Sequence, residues 1–213
     1  GKEMDAELIK LYAIVNFTAL PAAYVGMSVF VIYMLASDLA EEMKLLAMTD
    51  PLTDCFNRRG FYSHAKQKLL ELQKQPQHAC LIYWDIDKFK AINDQFGHAG
   101  GDQVLISITQ LIKQHIKKDD LIGRMGGEEF VILIERSNYQ EAINVAERLR
   151  AMINQTPIVY CGQQISVTAS FGVVELSNQD IPIEQAIDLA DSALYQAKSS
   201  GRNKVVFSEL SSR

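Results

Sequence analysis

The stretch Leu121-Ile122-Gly123-Arg124-Met125-Gly126-Gly127-Glu128-Glu129-Phe130-Val131-Ile132-Leu133-Ile134-Glu135 decides how this chain is read. Two apolar runs, Leu121 to Gly123 and Phe130 to Glu135, flank a short segment that carries paired glycines and paired acids. Strand-length apolar runs around a glycine turn predict a β-hairpin, with Arg124 to Glu129 as its connection. Gly126 and Gly127 permit positive φ and remove side-chain bulk, so a phosphate or a base can lie against the turn backbone. Glu128 and Glu129 place two carboxylates at that same turn.

Upstream, Ala79 to Asp85 is an almost continuous apolar run, which predicts a strand buried on both faces of a sheet. Asp85 and Asp87 stand where it ends. Acids at two sheet ends repel one another unless a cation gathers them, and hard oxygen ligands of this kind suit Mg²⁺ carrying a nucleoside triphosphate. A glycine-broken turn over Phe96 to Gly101 is expected next, then a helix from Asp102 to about Ile116 with Val104, Leu105, Ile108, Leu111 and Ile112 inward. Further elements are predicted at Asn57 to Leu72 (helix), Gln140 to Asn154 (helix), Ile158 to Tyr160 and Ile165 to Glu175 (strands), Glu184 to Lys198 (helix) and Lys204 to Phe207 (strand). This alternation implies an α/β sandwich around one central mixed sheet.

A length of 213 residues, 48% of them hydrophobic, supports one substantial core with a small appendage. The net charge of -5 argues against a protein that coats nucleic acid, so no nucleic-acid partner is expected. Cys55, Cys80 and Cys161 are scattered and odd in number, which fits neither a disulfide framework nor a zinc site. Between Lys10 and Asp38 no residue is charged, and Leu11 to Ser37 is long enough to cross a bilayer as a helix. Ser37 and Asp38 are read as the cap of a short connector helix, with Leu39, Met43, Leu46 and Ala47 on one face. The domain reading is therefore 1–37 a hydrophobic helix, transmembrane or else packed in a soluble sensor module, 38–49 connector, and 50–213 the sandwich domain.

The turn Gly126-Gly127-Glu128-Glu129-Phe130 resembles the signature of the GGDEF family of diguanylate cyclases, in its GGEEF form. Other blocks agree in order: Asp50-Pro51-Leu52-Thr53-Asp54 with Asn57-Arg58-Arg59; Asp85-Ile86-Asp87 through Phe89-Lys90, Ile92-Asn93-Asp94, Gly97-His98 and Gly101-Asp102; Ser170-Phe171-Gly172-Val173; and Ala193-Leu194-Tyr195 through Ala197-Lys198 to Gly201-Arg202-Asn203. The resemblance runs from about Asp50 to Phe207 and implies a fold similar to the palm of polymerases and class III nucleotidyl cyclases. It implies that Asp85, Glu128 and the carbonyl of Ile86 ligate Mg²⁺, with Mn²⁺ as an alternative ion, while Glu129 assists the metal or deprotonates the attacking hydroxyl. Asn93 and Asp102 match guanine-reading positions, and an Asp accepts from guanine N1–H where adenine offers no donor. Lys198 and Arg202 match a triphosphate-binding pair, with Phe89, Lys90, Gly126 and Gly127 beside the substrate.

The same resemblance implies that each domain binds one GTP and that a homodimer joins two of them into cyclic di-GMP with release of two pyrophosphates. The catalytic domain would then lie in the cytoplasm, anchored to the inner membrane. Where many relatives carry an Arg-x-x-Asp inhibitory motif, this chain reads Lys117-Lys118-Asp119-Asp120, so product inhibition is expected to be weakened. Arg124 could serve the turn or such an inhibitory site, and Asp50, Asn57 and Arg58 look architectural. Two competing readings are a silent receptor for GTP or cyclic di-GMP and a membrane-anchored interaction module without a ligand. Magnesium-dependent GTP binding and turnover separate the three.

Overall fold

The structure, a computed structural model, describes residues 2–46, 48–72, 78–176 and 181–208. The chain divides into two compact units, Gly1–Ala47 and Met48–Arg213.

In the first unit, helix α1 (Lys2–Ile14), a π-helical turn (Val15–Ala19) and helix α2 (Leu20–Leu46) follow one another without interruption. Pro21 has no N–H to give, and the wider turn before it is a common answer to a disturbed helical ladder. Asn16 Nδ2 donates to the Tyr12 carbonyl at 3.0 Å and Thr18 Oγ1 to that of Ile14, so side chains take up local acceptors. Met4–Ala40 is long and apolar enough to cross a membrane, with a mean hydropathy of 1.8 in its most apolar window. The separate connector helix does not form, because α2 runs straight through Ser37 and Asp38. No proline lies between Pro21 and Pro51, and a capping residue starts a helix only where the chain before it is not already helical. Of the expected connector face, Ala47 lies outside the described residues, as does the side chain of Leu46.

The second unit is a six-stranded sheet in the order β1-β3-β4-β2-β7-β8, with a small hairpin, β5-β6, to one side. The strands are β1 (Phe56–Asn57), β2 (Ala79–Ile86), β3 (Leu121–Gly126), β4 (Glu129–Glu135), β5 (Ile158–Tyr160), β6 (Gln163–Ile165), β7 (Ala169–Leu176) and β8 (Val205–Ser208). The helices are α3 (Arg58–Leu72), α4 (Phe89–Lys113), α5 (Tyr139–Gln155) and α6 (Ile183–Ser199). Strand β2 is central, antiparallel to β4 on one side and to β7 on the other, and every residue in it is buried. Its alternation splits the core in two. Cys80, Ile82, Trp84 and Ile86 pack with Val104, Leu105 and Ile108 of α4 and with Ala142, Ala146 and Leu149 of α5. Leu81 and Tyr83 face Phe61 of α3 and Ile187, Ala190 and Leu194 of α6. Trp84 lies between Phe130 and Phe171, with ring centroids 4.5 Å and 5.9 Å away, and so fastens the three central strands just below the end where the acids emerge.

Two sequence expectations are corrected here. The run Ile165 to Glu175 is not one strand: Gln163–Ile165 pairs with β5, and only Ala169–Leu176 joins the central sheet. Helix α4 begins at Phe89 rather than after a turn, and the glycines interrupt it at a single residue, Gly97 (φ 73°, ψ 169°). Gly100 and Gly101 stay helical because they are there for contact, not for a turn. The remaining elements form where the periodicity puts them, and α5 opens on a capping box between Asn138 and Glu141.

Candidate active site

The register of β2 brings the acids to one end of the sheet. Asp85 stands opposite Glu129 on β4 and opposite Ser170 on β7. Its residue is only 5% exposed, and Lys198 of α6 places its ammonium 2.8 Å from the carboxylate. Burial pushes the Asp85 carboxyl up to about 6; Lys198 opposes that rise, while the charges of Glu128 and Glu129 add to it. A carboxylate whose charge is disfavoured first by burial and then by two neighbouring acids is a place where a cation gains most. Among the described residues no set of three or more His, Cys, Asp or Glu side chains is arranged to hold a metal unaided. Mg²⁺ does not require one, since it commonly takes one or two carboxylates and fills its shell with water and phosphate oxygens. Asp85, Glu128 and the Ile86 carbonyl fit that pattern.

Glu129 is held from behind by Tyr83, whose hydroxyl donates to its carboxylate at 3.3 Å. Burial, and then the charge of Glu129, push the Tyr83 phenol up, so it remains a donor. Beside them opens a cavity of about 580 Å³, bounded by Glu129, Asp191, Tyr195 and Lys198. Asp87, grouped by sequence with Asp85, does not join the acid cluster. Its carboxylate accepts from Thr168 Oγ1 and Ser170 Oγ, both at 2.7 Å, and from the backbone N–H of Asn203 at 3.0 Å.

After β2 the chain turns through Lys88 in the left-handed region (φ 55°) and enters α4 at Phe89 with no side-chain cap on its first amides. The Ala91 amide returns to the Lys88 carbonyl at 2.9 Å; the two amides before it stand at a helix start, the usual setting for phosphate oxygens, and Lys90 is exposed there. The kink at Gly97 folds the second arm of α4 back against the first. A Cβ on Gly101 would lie 1.9 Å from Asn93 Oδ1 and 3.1 Å from Phe89 Cζ, so Phe89, Asn93 and Gly101 form one contact. Asp102, exposed, follows next in the chain.

The hairpin turn is braced from outside. Arg124 Nε and Nη2 donate to the Gly127 carbonyl at 2.9 and 2.7 Å, and Nη1 donates to both oxygens of Asp50 at 3.0 and 3.2 Å. Asp50 also accepts from the Thr53 amide and hydroxyl. Burial alone would raise its pKa, but these hydrogen bonds and the guanidinium hold the carboxyl below its usual value. Arg124 therefore serves the turn, and Gly127 (φ 50°) occupies a conformation that side chains rarely adopt.

Lys117 and Asp120 stand apart from these groups. Asp120 closes its own turn by accepting from the Lys117 amide at 2.8 Å. Together with His115, Glu141 and Arg148 they border a second cavity of about 580 Å³.

The family model described as "Diguanylate cyclase, GGDEF domain" matches residues 47–204. The chain belongs to this GGDEF family. Among its relatives, the uncharacterized protein YhcK of Bacillus subtilis is 41% identical over 80% of this chain and 48% of its own length. The probable diguanylate cyclase DgcT of Escherichia coli is 38% identical over 78% of this chain and 37% of its own. The chain thus spans about half or less of the curated relatives it matches. The GGEEF domain of a diguanylate cyclase from Vibrio cholerae superposes with a TM-score of 0.68 at 34% identity, covering 74% of this chain and 99% of that one. Diguanylate cyclase SiaD of Pseudomonas aeruginosa, solved with its activator SiaC, gives 0.72 at 32% identity, over 97% and 80% of the two chains. The palm-like GGDEF fold, with a mixed sheet between helices, is therefore the architecture of the second unit.

Three features of this GGDEF domain escaped the sequence. Tyr83 reads as one more apolar residue of a buried strand, and only its hydroxyl betrays a second role. Asp191 lies on the exposed side of α6, where polar residues carry no signal of their own, and Tyr195 beside it belongs to a matching block without a role attached. Arg148 reaches the Lys117–Asp120 cavity from α5, and no local spacing relates them.

Proposed function

We propose that this chain is a diguanylate cyclase, in which two copies each bind one GTP and join them into cyclic di-GMP. The observation that carries the reading is the meeting of Asp85 with the Gly-Gly-Glu-Glu hairpin in strand register, with Lys198 at 2.8 Å. Asp85, Glu128 and the Ile86 carbonyl would hold Mg²⁺ (or Mn²⁺), which when bound neutralises phosphate charge and lowers the pKa of a ribose hydroxyl. Lys198 and Arg202 bind the β- and γ-phosphates; the first amides of α4 and Lys90 receive phosphate oxygens, while Gly126 and Gly127 leave the turn open to the nucleotide. Asn93 and Asp102 read the guanine edge, and Phe89 backs Asn93. The ribose 3′-oxygen of one GTP forms a bond to the α-phosphorus of the other, the bond to the β-phosphate breaks, and pyrophosphate leaves. Glu129, oriented by Tyr83, accepts the hydroxyl proton. The reaction repeats with the roles exchanged, which is why a homodimer is required.

The domain division follows: 1–37 as a membrane anchor, 38–49 as the connector, helical as far as Leu46 and bridged to Phe56 at Thr49, and 50–213 as the cyclase. An apolar helix whose spanning window is 0% buried is suited to lipid, and GTP places the catalytic unit on the cytoplasmic side of the inner membrane. At the Lys117–Asp120 position a lysine supplies a point charge in place of a planar fork, so product restrains the enzyme weakly.

The test is incubation of the full chain in detergent with GTP and Mg²⁺, followed by chromatography. Cyclic di-GMP and pyrophosphate, both lost in Glu128→Gln, are expected. Bound but unconverted GTP in a dimeric sample would replace the enzyme by a GTP receptor.

A further inference from the structure

We propose that Asp87 is a positioning residue that fastens the turn after α6, and thereby holds Arg202 where a triphosphate is bound. It is a buried carboxylate, 6% exposed, that the reaction itself does not use. Its recorded donors are neutral and come from two separate parts of the chain. Thr168 immediately precedes β7 and Ser170 lies at its start, whereas the Asn203 amide belongs to the turn between α6 and β8. The Asp87 amide in turn donates to the Thr168 carbonyl at 2.9 Å. A charge-assisted bond to a backbone amide fixes main chain, not merely a side chain.

The turn it grips needs holding. Gly201, Arg202 and Asn203 have φ of 117°, 62° and 47°, and left-handed geometry at the two non-glycine residues persists only where the surroundings enforce it. Asn203 is gripped at both ends, since its Oδ1 accepts from Arg150 Nη1 at 2.9 Å while its N–H goes to Asp87. The next residue is tied to the sheet through Phe171 N–H to the Lys204 carbonyl at 2.8 Å, and Arg202 N–H returns to Ala197 at 3.0 Å. Arg202 is thus exposed on a backbone whose shape depends on the carboxylate two residues past Asp85. The same strand end supplies one acid to the cation and the next to the loop that carries the phosphate-binding arginine.

This inference rests on the proposed GTP site, and its test separates the two. In Asp87→Ala, hydrogen exchange of the peptide spanning residues 199–207 should accelerate about tenfold or more, a readout that needs no nucleotide. The affinity for GTP should fall about tenfold while that for GMP, which lacks the β- and γ-phosphates, stays within about twofold. Thr168→Val, which removes one donor and keeps the shape, should move both readouts in the same direction by less, and it serves if the alanine variant fails to fold. Unchanged exchange in a folded variant overturns the anchor whatever the nucleotide chemistry. Faster exchange with an unchanged ratio of GTP to GMP affinity overturns its link to the triphosphate. A wild-type chain that leaves GTP unconverted counts against the cyclase reading alone.

Discussion

Replacing Gly101 by alanine should separate guanine recognition from the stability of the fold. The new Cβ would sit 1.9 Å from Asn93 Oδ1. A carbon and an oxygen approach no closer than about 3.3 Å, so the Asn93 amide must move by about 1.4 Å. A hydrogen bond that is made at about 2.9 Å does not survive such a shift. Loss of one such bond inside a site costs about 1–3 kcal/mol, which is roughly 5- to 150-fold in the KM for GTP. The fold should hardly notice. Alanine is favoured over glycine within a helix by about 1 kcal/mol, which offsets the tight contact with Phe89 Cζ at 3.1 Å. Steady-state kinetics and a thermal melt on one preparation give both quantities. A KM within about twofold of wild type, in a variant with an unchanged Tm, would show that the position of Asn93 does not matter to the base.

Asp85 predicts a pH dependence of opposite sign with and without metal. Its folded pKa of about 6 lies above the ordinary carboxylate value of 3.8, so its contribution to metal-free stability is present below that ordinary value and is lost as pH rises through about 6. Metal-free melts should therefore be higher at pH 5 than at pH 7. Mg²⁺ affinity should drop about tenfold per unit below pH 6 and level off above it, as titration calorimetry would read; a flat profile contradicts the assignment. At the hairpin turn, Arg124→Ala takes the guanidinium from Asp50, leaving it the Thr53 donors, and removes both side-chain donors from the Gly127 carbonyl. With the paired side chains 15% and 19% exposed, a loss of about 2–4 kcal/mol in urea denaturation is expected. Arg124→Lys should recover only part of it, because one ammonium cannot serve both acceptors in the plane of the fork.

Much of this fold is legible in the sequence because its strands are of the simplest kind. The run Ala79 to Trp84 is apolar throughout, and the structure buries every residue of β2. Glycines were harder to read. Gly97, Gly100 and Gly101 look alike in a sequence, yet one bends α4 and the other two let side chains approach its backbone, a difference that exists only once the two arms of the helix meet. Asp85 and Asp87 are a similar case. They are two residues apart at the same strand end, and what distinguishes them is which partners arrive: Lys198 beside the first, Thr168, Ser170 and Asn203 around the second. Such partners come from the far end of the chain. The Ser37–Asp38 cap failed for a related reason, since a local signal says nothing unless the chain before it has stopped being helical.

Lys198 can be followed one step further. Its ammonium neutralises Asp85 in the ligand-free chain, and the same ammonium is the partner proposed for the polyphosphate. One charge cannot serve both acceptors at full strength. Whatever draws Lys198 toward phosphate leaves Asp85 more eager for a cation, and a cation on Asp85 frees Lys198 for phosphate. Thermodynamic reciprocity then requires that each ligand strengthen the other by the same factor. The domain would fill as an all-or-nothing unit, poorly occupied by either nucleotide or metal alone, and a lysine counted as a simple phosphate clamp would also be the latch that keeps an empty site closed to stray ions.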